Sequence, residues 1–293
     1  MIGSFEYVRA SSIEQGCSLL AEYDGQAAVL AGGTDLLVNI RSGIAAPRLL
    51  VDFKGISDMA QIRADEQGGV AVGASVSLNA LLENETICQR YRALAEAAQS
   101  VGTYQVRNRA TLAGNLCNAS PAADAAPALF VLNASVKIES PRGKRSLTVR
   151  DLFVGVKQSA LAPDEVVTAV ALPAIRPHIR TKFLKKQRIR GHDLAVINMA
   201  GAYNTQTGEL SVAIGSCAKT PILLPPLDDR VQEKTLVDKL VSRLNELAQQ
   251  EVSPITDLRG SAEYRRAMIP VFLKRLLREL LCPPGASAQV GAS

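Results

Sequence analysis

Residues 111–127 read Thr-Leu-Ala-Gly-Asn-Leu-Cys-Asn-Ala-Ser-Pro-Ala-Ala-Asp-Ala-Ala-Pro, and residues 30–37 read Leu-Ala-Gly-Gly-Thr-Asp-Leu-Leu. Both stretches are built from small and hydroxyl-bearing residues set between apolar runs, and neither contains a lysine. Turns of this kind expose backbone N–H groups to an anion and let a large flat ligand approach the main chain closely. Two of them in one chain suggest a dinucleotide held at its pyrophosphate from both sides.

The two commonest nucleotide cradles are absent, because neither G-x-x-x-x-G-K-[ST] nor G-x-G-x-x-G occurs anywhere in the chain. Taken alone, Ala31–Asp35 also reads as an ordinary tight turn. The 111–127 stretch reads as a long irregular loop, and such loops are either functional or disordered. Its Ala, Leu and Pro content and near absence of charge argue against disorder. Asp124 is its one charged residue. That carboxylate either caps a helix over about Ala125–Leu132 or accepts hydroxyl protons from a ribose or ribityl chain.

Outward from these turns, Ser11-Ser12-Ile13-Glu14 matches a capping box and predicts a helix to about Tyr23. Apolar runs at Ala27–Leu30 and Arg48–Phe53 predict two strands, so the N-terminal segment has a βαβ-like character. Val70–Gly73, Ser135–Ser140, Lys144–Val149 and Glu165–Leu172 read as further strands, with Pro141-Arg142-Gly143 closing a hairpin. Beyond the proline-punctuated join 173–177, strands at 182–190, 195–204 and 210–216 form a meander. Helical periodicity follows over 231–249 and 261–281. The Pro/Gly/Ala/Ser tail from Pro283 reads as disordered.

The chain has 293 residues, 47% of them hydrophobic and 21% charged, the composition of a globular protein of two domains. No apolar run approaches the roughly 20 residues of a membrane span. The N-terminus has no basic, apolar leader pattern, so a cytoplasmic location is expected. Five scattered cysteines and two histidines supply no metal-site spacing, so no protein-bound metal is expected. So few histidines argue against hydrolytic acid–base chemistry and suit redox chemistry supplied by a bound cofactor. The net charge is +5, but aromatic content is 4% with no Trp, which disfavours base stacking and a nucleic-acid partner. The basic run 176–190 reads as a solvated strand face or a partner-facing edge.

Three motifs in order carry a more specific likeness. They are 30–37, then Gln105-Val106-Arg107-Asn108 leading into Thr111–Pro127, then Pro254-Ile255-Thr256-Asp257-Leu258-Arg259-Gly260-Ser261-Ala262-Glu263-Tyr264-Arg265. Together they resemble the FAD-binding medium subunit of the molybdenum hydroxylases, the family of xanthine dehydrogenase and aerobic carbon monoxide dehydrogenase. The resemblance implies an α+β chain. Residues 1–175 would form a two-lobed FAD-binding domain of the vanillyl-alcohol-oxidase (PCMH) type, with a small lobe over about 1–56 and a larger one over about 57–175. Residues 176–282 would form the flavoprotein C-terminal domain, a three-stranded antiparallel sheet with helices, followed by a tail over 283–293.

The same resemblance implies FAD contacts from Val29, Leu30, Ala31, Gly32, Gly33, Thr34 and Asp35 in the first turn. From the second it implies Thr111, Gly114, Asn115 and Ser120, with Asp124 near the ribityl and adenosine part. It also implies Val167 and Lys185 near the flavin ring and Leu194 flanking it, with no catalytic side chain on this chain. Lys185 reads equally as one more solvated lysine. Ala113 stands where relatives have glycine, so that position is expected to tolerate a side chain. Molybdopterin and [2Fe–2S] clusters are expected on a large and a small partner subunit, in a heterotrimer or a dimer of heterotrimers. Electrons would leave through FAD to NAD, a quinone, oxygen or another acceptor. The rival readings are a stand-alone flavin reductase on the same fold, resembling UDP-N-acetylenolpyruvoylglucosamine reductase, and a non-enzymatic binding or assembly protein.

Overall fold

The computed structural model describes residues 4–189, 191–232 and 235–282. The tail expected from Pro283 therefore lies outside the described residues. The chain forms two compact units that interleave along the sequence. The first takes Met1–Glu85, Val101–Ser120 and Asn133–Ala174; the second takes Thr86–Ser100, Pro121–Leu132 and the chain from Ile175 onward.

In the first unit, strands Glu6–Arg9 and Ala27–Leu30 pair in parallel on either side of Leu49–Asp52, with Val8 and Val29 both opposite Val51. All four residues of that central strand are buried, as expected of a strand flanked on both sides in a parallel sheet. The helix Ile13–Glu22 starts one residue later than the expected box. Ser12 is its cap, accepting from the Gln15 N–H at 3.1 Å, and Gln15 Oε1 accepts from the Ser11 N–H at 2.7 Å. Gln15, not Glu14, turns back because it stands at the third helical position counted from the true cap.

A second sheet of the first unit is antiparallel, in the order Ile62–Ala64, Val70–Gly73, Val166–Leu172, Ser135–Ser140, Gly143–Thr148. Its central strand carries Val167 beside a register shift between Val167 and Ala169. The long stretch after Asn108 is not irregular throughout. Thr111 caps a helix over Leu112–Cys117, accepting from the Gly114 N–H at 3.0 Å. Ala113 lies inside that helix and takes no positive φ, so its side chain costs no backbone strain.

The second unit is built on antiparallel strands Ile179–Lys186, Ile197–Asn204 and Leu210–Gly215, joined at the edge by a two-residue fourth strand, Ile222–Leu223. Strand alternation sorts side chains to two faces. Ile197, Met199 and Tyr203 enter the large core with Leu240, Leu244, Phe272, Leu276 and Leu280 of helices Val237–Glu251 and Ala262–Leu281. Phe183 and Ala200 face the other way, packing with Ala93, Ala97 and Ala128 of helices Arg92–Gln99 and Ala125–Val131. Lys185 pairs in register with Asn198, two residues along from the Phe183–Ala200 pair, so it shares that second face. Two-residue periodicity thus delivers a lysine into the interior.

Candidate functional site

The two turns singled out by sequence meet in the first unit. Gly32 is pressed against the backbone that leads directly into the second turn: a Cβ there would stand 2.1 Å from the Arg109 carbonyl oxygen and 2.9 Å from Ala110 Cα. A Cβ on Gly114 would lie 3.8 Å from that of Ala31. Asn118 donates through Nδ2 to Asp35 Oδ1 at 2.9 Å, tying the far ends together. Gly33 has φ +75, the left-handed region that glycine enters at little cost. The N–H groups of Gly32, Gly33 and Thr34 find no acceptor among the described residues. Successive N–H groups around a left-handed residue form a concavity suited to an anion.

Val29 and Leu30 end the strand that delivers this turn, and the floor beside it is made of Ala31 and Gly114. Asn115 adds a buried side-chain oxygen, Oδ1, with no hydrogen-bond partner among the described residues. Such an atom costs free energy unless something satisfies it. Ser120 ends this part of the unit, half-buried. Val167 is buried in the strand on which the Leu112–Cys117 helix packs. Burial pushes the Cys117 thiol in that helix up to about 12, so it remains neutral. Free donors, a small-residue floor and an unsatisfied buried acceptor fit a ligand with a diphosphate and hydroxyls.

Sequence reasoning missed a residue under the first turn. Lys54 Nζ donates to the Ala31 carbonyl at 3.1 Å and the Leu30 carbonyl at 3.4 Å, and pairs with Asp52 at 2.8 Å. Burial raises the Asp52 carboxyl, but hydrogen bonds from Lys54 and Tyr7 outweigh it and hold the group below its usual value. No local motif signals this lysine; it follows a strand whose partner is set only by the fold.

Asp124, Lys185 and Leu194 belong to the second unit. Asp124 stands at the cap position of the Ala125–Val131 helix, yet its side chain makes no cap hydrogen bond. The capping alternative is therefore wrong. Its Oδ2 accepts from Lys185 Nζ at 2.7 Å and its Oδ1 from Asn198 Nδ2 at 3.1 Å. Lys185 also donates to the Ser100 carbonyl at 2.9 Å, and its side chain is only 5% exposed. It is not a solvated lysine. Burial pushes the Asp124 carboxyl up, opposed by Lys185. Leu194 lies apart from this pair, 56% exposed.

Four residues of the basic run have partners within the chain. Lys182 pairs with Glu96, Lys185 with Asp124 and Arg188 with Asp193, and Arg180 donates to the Leu280 carbonyl. Within the C-terminal motif, Arg265 forms an interior brace. Arg265, 1% exposed, donates to the Val196 and Ser216 carbonyls and pairs with Asp257 at 2.6 Å. Burial raises the Asp257 carboxyl, but hydrogen bonds from Arg259 and the charges of Arg259 and Arg265 take it down to about 2. Ser216 in turn donates its N–H to the Pro121 carbonyl at 2.8 Å, three residues before Asp124. Among the described residues no cluster of His, Cys, Asp and Glu suits a metal ion. No helix there is long and apolar enough to cross a membrane.

Residues 3–175 match the family profile described as the FAD binding domain in molybdopterin dehydrogenase. The chain belongs to this family. Residues 182–280 match a second profile, the CO dehydrogenase flavoprotein C-terminal domain. The xanthine dehydrogenase FAD-binding subunit of Escherichia coli O157:H7 is 29% identical over 287 residues, covering 97% of this chain and 98% of that one. The carbon monoxide dehydrogenase medium chain of Afipia carboxidovorans is 29% identical over 280 residues, covering 93% and 95%. Among solved structures, carbon monoxide dehydrogenase from Hydrogenophaga pseudoflava aligns at TM-score 0.89 and 27% identity, covering 96% of this chain and 98% of the other. This is a FAD-binding medium subunit of the xanthine dehydrogenase and carbon monoxide dehydrogenase family of oxidoreductases.

Proposed function

We propose that the chain holds FAD and carries electrons from [2Fe–2S] clusters on a small partner to an acceptor, after substrate is oxidised at molybdopterin on a large partner. The observation that carries the reading is the pair of turns meeting at Gly32, with three successive free N–H donors beside them. Ala31–Asp35, led by Val29 and Leu30, hold the diphosphate through backbone donors, and Thr111, Gly114, Asn115 and Ser120 supply the opposing contacts. Val167, Asp124, Lys185 and Leu194 keep the roles that the family resemblance gives them. Bound FAD supplies two-electron and one-electron redox chemistry; the chain's residues bind and orient it and perform no proton abstraction of their own.

NAD is one acceptor the reading allows, with a quinone or oxygen as others. The assembly is a heterotrimer or a dimer of heterotrimers, and its location is cytoplasmic. The FAD-binding domain spans 1–175 and the C-terminal domain 176–282. The match of 182–280 to a flavoprotein C-terminal domain disfavours a stand-alone reductase.

The test is a visible spectrum of the purified protein with analysis of what denaturation releases. Flavin absorption bands and released FAD are expected, with large and small subunits co-purifying; a colourless protein overturns the reading. Gly33→Val and Asp124→Ala are each expected to lose FAD. Full occupancy in both would refute the site.

A further inference from the structure

We propose that Lys54 is a positioning residue that fixes which way the Ala31 and Gly32 N–H groups of the first turn point, and so sets the affinity for the diphosphate of FAD. This rests on the two turns being the diphosphate site.

The geometry is one of anchored parts. Asp52 is 5% exposed and takes a hydrogen bond from the Tyr7 hydroxyl at 2.7 Å on one oxygen. Its other oxygen accepts from the Lys54 backbone N–H at 2.8 Å and pairs with Lys54 Nζ at 2.8 Å. The ammonium is thereby held at a defined point, with its remaining donors turned to the Leu30 and Ala31 carbonyls.

In a trans peptide the C=O and the following N–H point in opposite directions. The described chain has no cis peptide. Drawing the Leu30 and Ala31 carbonyls toward Nζ therefore turns the Ala31 and Gly32 N–H groups to the opposite side. That orientation is not secured by the turn itself. Gly32 must be glycine to approach Arg109, and Gly33 to adopt φ +75. Because Gly32 has no Cβ, its φ is little restricted by sterics, and the Ala31–Gly32 peptide on its N-terminal side can rotate at little cost. Lys54 removes that freedom before ligand arrives, which lowers the ordering cost of binding. Its charge is already matched by Asp52, so the contribution is one of orientation.

The test uses the full chain stripped of flavin, titrated with FAD by fluorescence and with ADP as competitor. Lys54→Met is expected to weaken both ligands by roughly ten- to a hundredfold, the range for losing hydrogen bonds made by a charged donor. Lys54→Arg should restore most of the affinity, and the visible spectrum of bound flavin should stay as in the parent. Wild-type affinity in Lys54→Met, even with a lowered melting temperature, would overturn the proposal and leave Lys54 a stabilising residue only. Gly33→Val separates the two levels of the reading. If it too retains FAD, the turn is not the diphosphate site; if it alone loses FAD, only the role of Lys54 falls.

Discussion

Replacing Gly32 by alanine tests the contact on which the site depends. The new Cβ would stand 2.1 Å from the Arg109 carbonyl oxygen and 2.7 Å from its carbon. An ordinary carbon–oxygen contact is about 3.3 Å or longer, so the overlap is close to 1.2 Å. No side-chain rotation relieves it, because every close atom is backbone. The opposing segment is also held: Arg109 and Ala110 both donate to the Val106 carbonyl, at 3.0 and 2.8 Å, and the Ala110 carbonyl accepts from Leu78 at 2.8 Å. The turns must therefore separate by about 1 Å, at a cost of about 1–3 kcal/mol typical of overpacking. If one ligand bridges them, most of that cost appears in binding, weakening FAD roughly five- to a hundredfold at about 1.4 kcal/mol per decade. Gly33→Ala is the comparison. Its Cβ meets only Leu30 and Leu37 side chains, at 3.2 Å, and its main penalty is the left-handed backbone, about 1–2 kcal/mol. Flavin-fluorescence titration of both variants, beside urea unfolding without FAD, distinguishes ligand loss from global destabilisation. A Gly32→Ala protein that binds FAD within about twofold of the parent would refute the meeting of the turns.

Three further outcomes follow from the charges. Lys185→Met leaves the buried Asp124 carboxylate with Asn198 alone and should cost about 3–5 kcal/mol at neutral pH. Removing the lysine pushes an already raised carboxyl higher, so the folded variant binds a proton that the unfolded chain releases above its ordinary 3.8. Its stability should therefore fall as pH rises above about 4, and urea midpoints showing a gap to wild type that does not change with pH would contradict this. Asp257 has the opposite sign, its folded value of about 2 lying below the ordinary 3.8. The loss caused by Asp257→Asn should be complete above pH 4 and shrink toward pH 2, checked by melting temperatures across that range. Arg265→Leu severs both carbonyl contacts and the Asp257 pair. It should destabilise the chain by about 3 kcal/mol or more, and a melting temperature within a degree or two of wild type would count against the brace.

Local chemistry made a good part of this molecule legible. The apolar run over 195–204 foretold a strand, found at Ile197–Asn204, whereas the short helix that Thr111 caps was hidden in what reads as an irregular loop. The paired turns stood out because glycine and small hydroxyl residues are costly unless a backbone needs them. What escaped was long-range pairing. Asp124 and Lys185 are 61 residues apart, and nothing near either one marks the other as its partner. From its neighbours alone Asp124 reads either as a cap or as an acceptor for ligand hydroxyls; the lysine on a facing strand that engages it has no local signature. Lys54 was invisible for the same reason, since the register of parallel strands, not the sequence around it, brings it beneath Ala31.

The interior pairing also bears on why chains similar to this one occur in enzymes named for unlike substrates. It aligns at 29% identity, over nearly its whole length, both with a subunit of an enzyme named for a purine and with one named for a diatomic gas. A chain organised around a substrate pocket would favour one of them. The features described here are indifferent to substrate: backbone donors at one turn, a charge-matched lysine beneath it, and a buried ion pair fixing one helix to a sheet. Arg265 extends that rigidity, reaching Ser216, whose N–H holds Pro121 just ahead of Asp124. If the chain carries electrons through FAD as proposed, the prosthetic group gains from a rigid support. On the proposed reading the motif near the C-terminus serves that support through Arg265, which braces the unit in which Asp124 and Lys185 are paired.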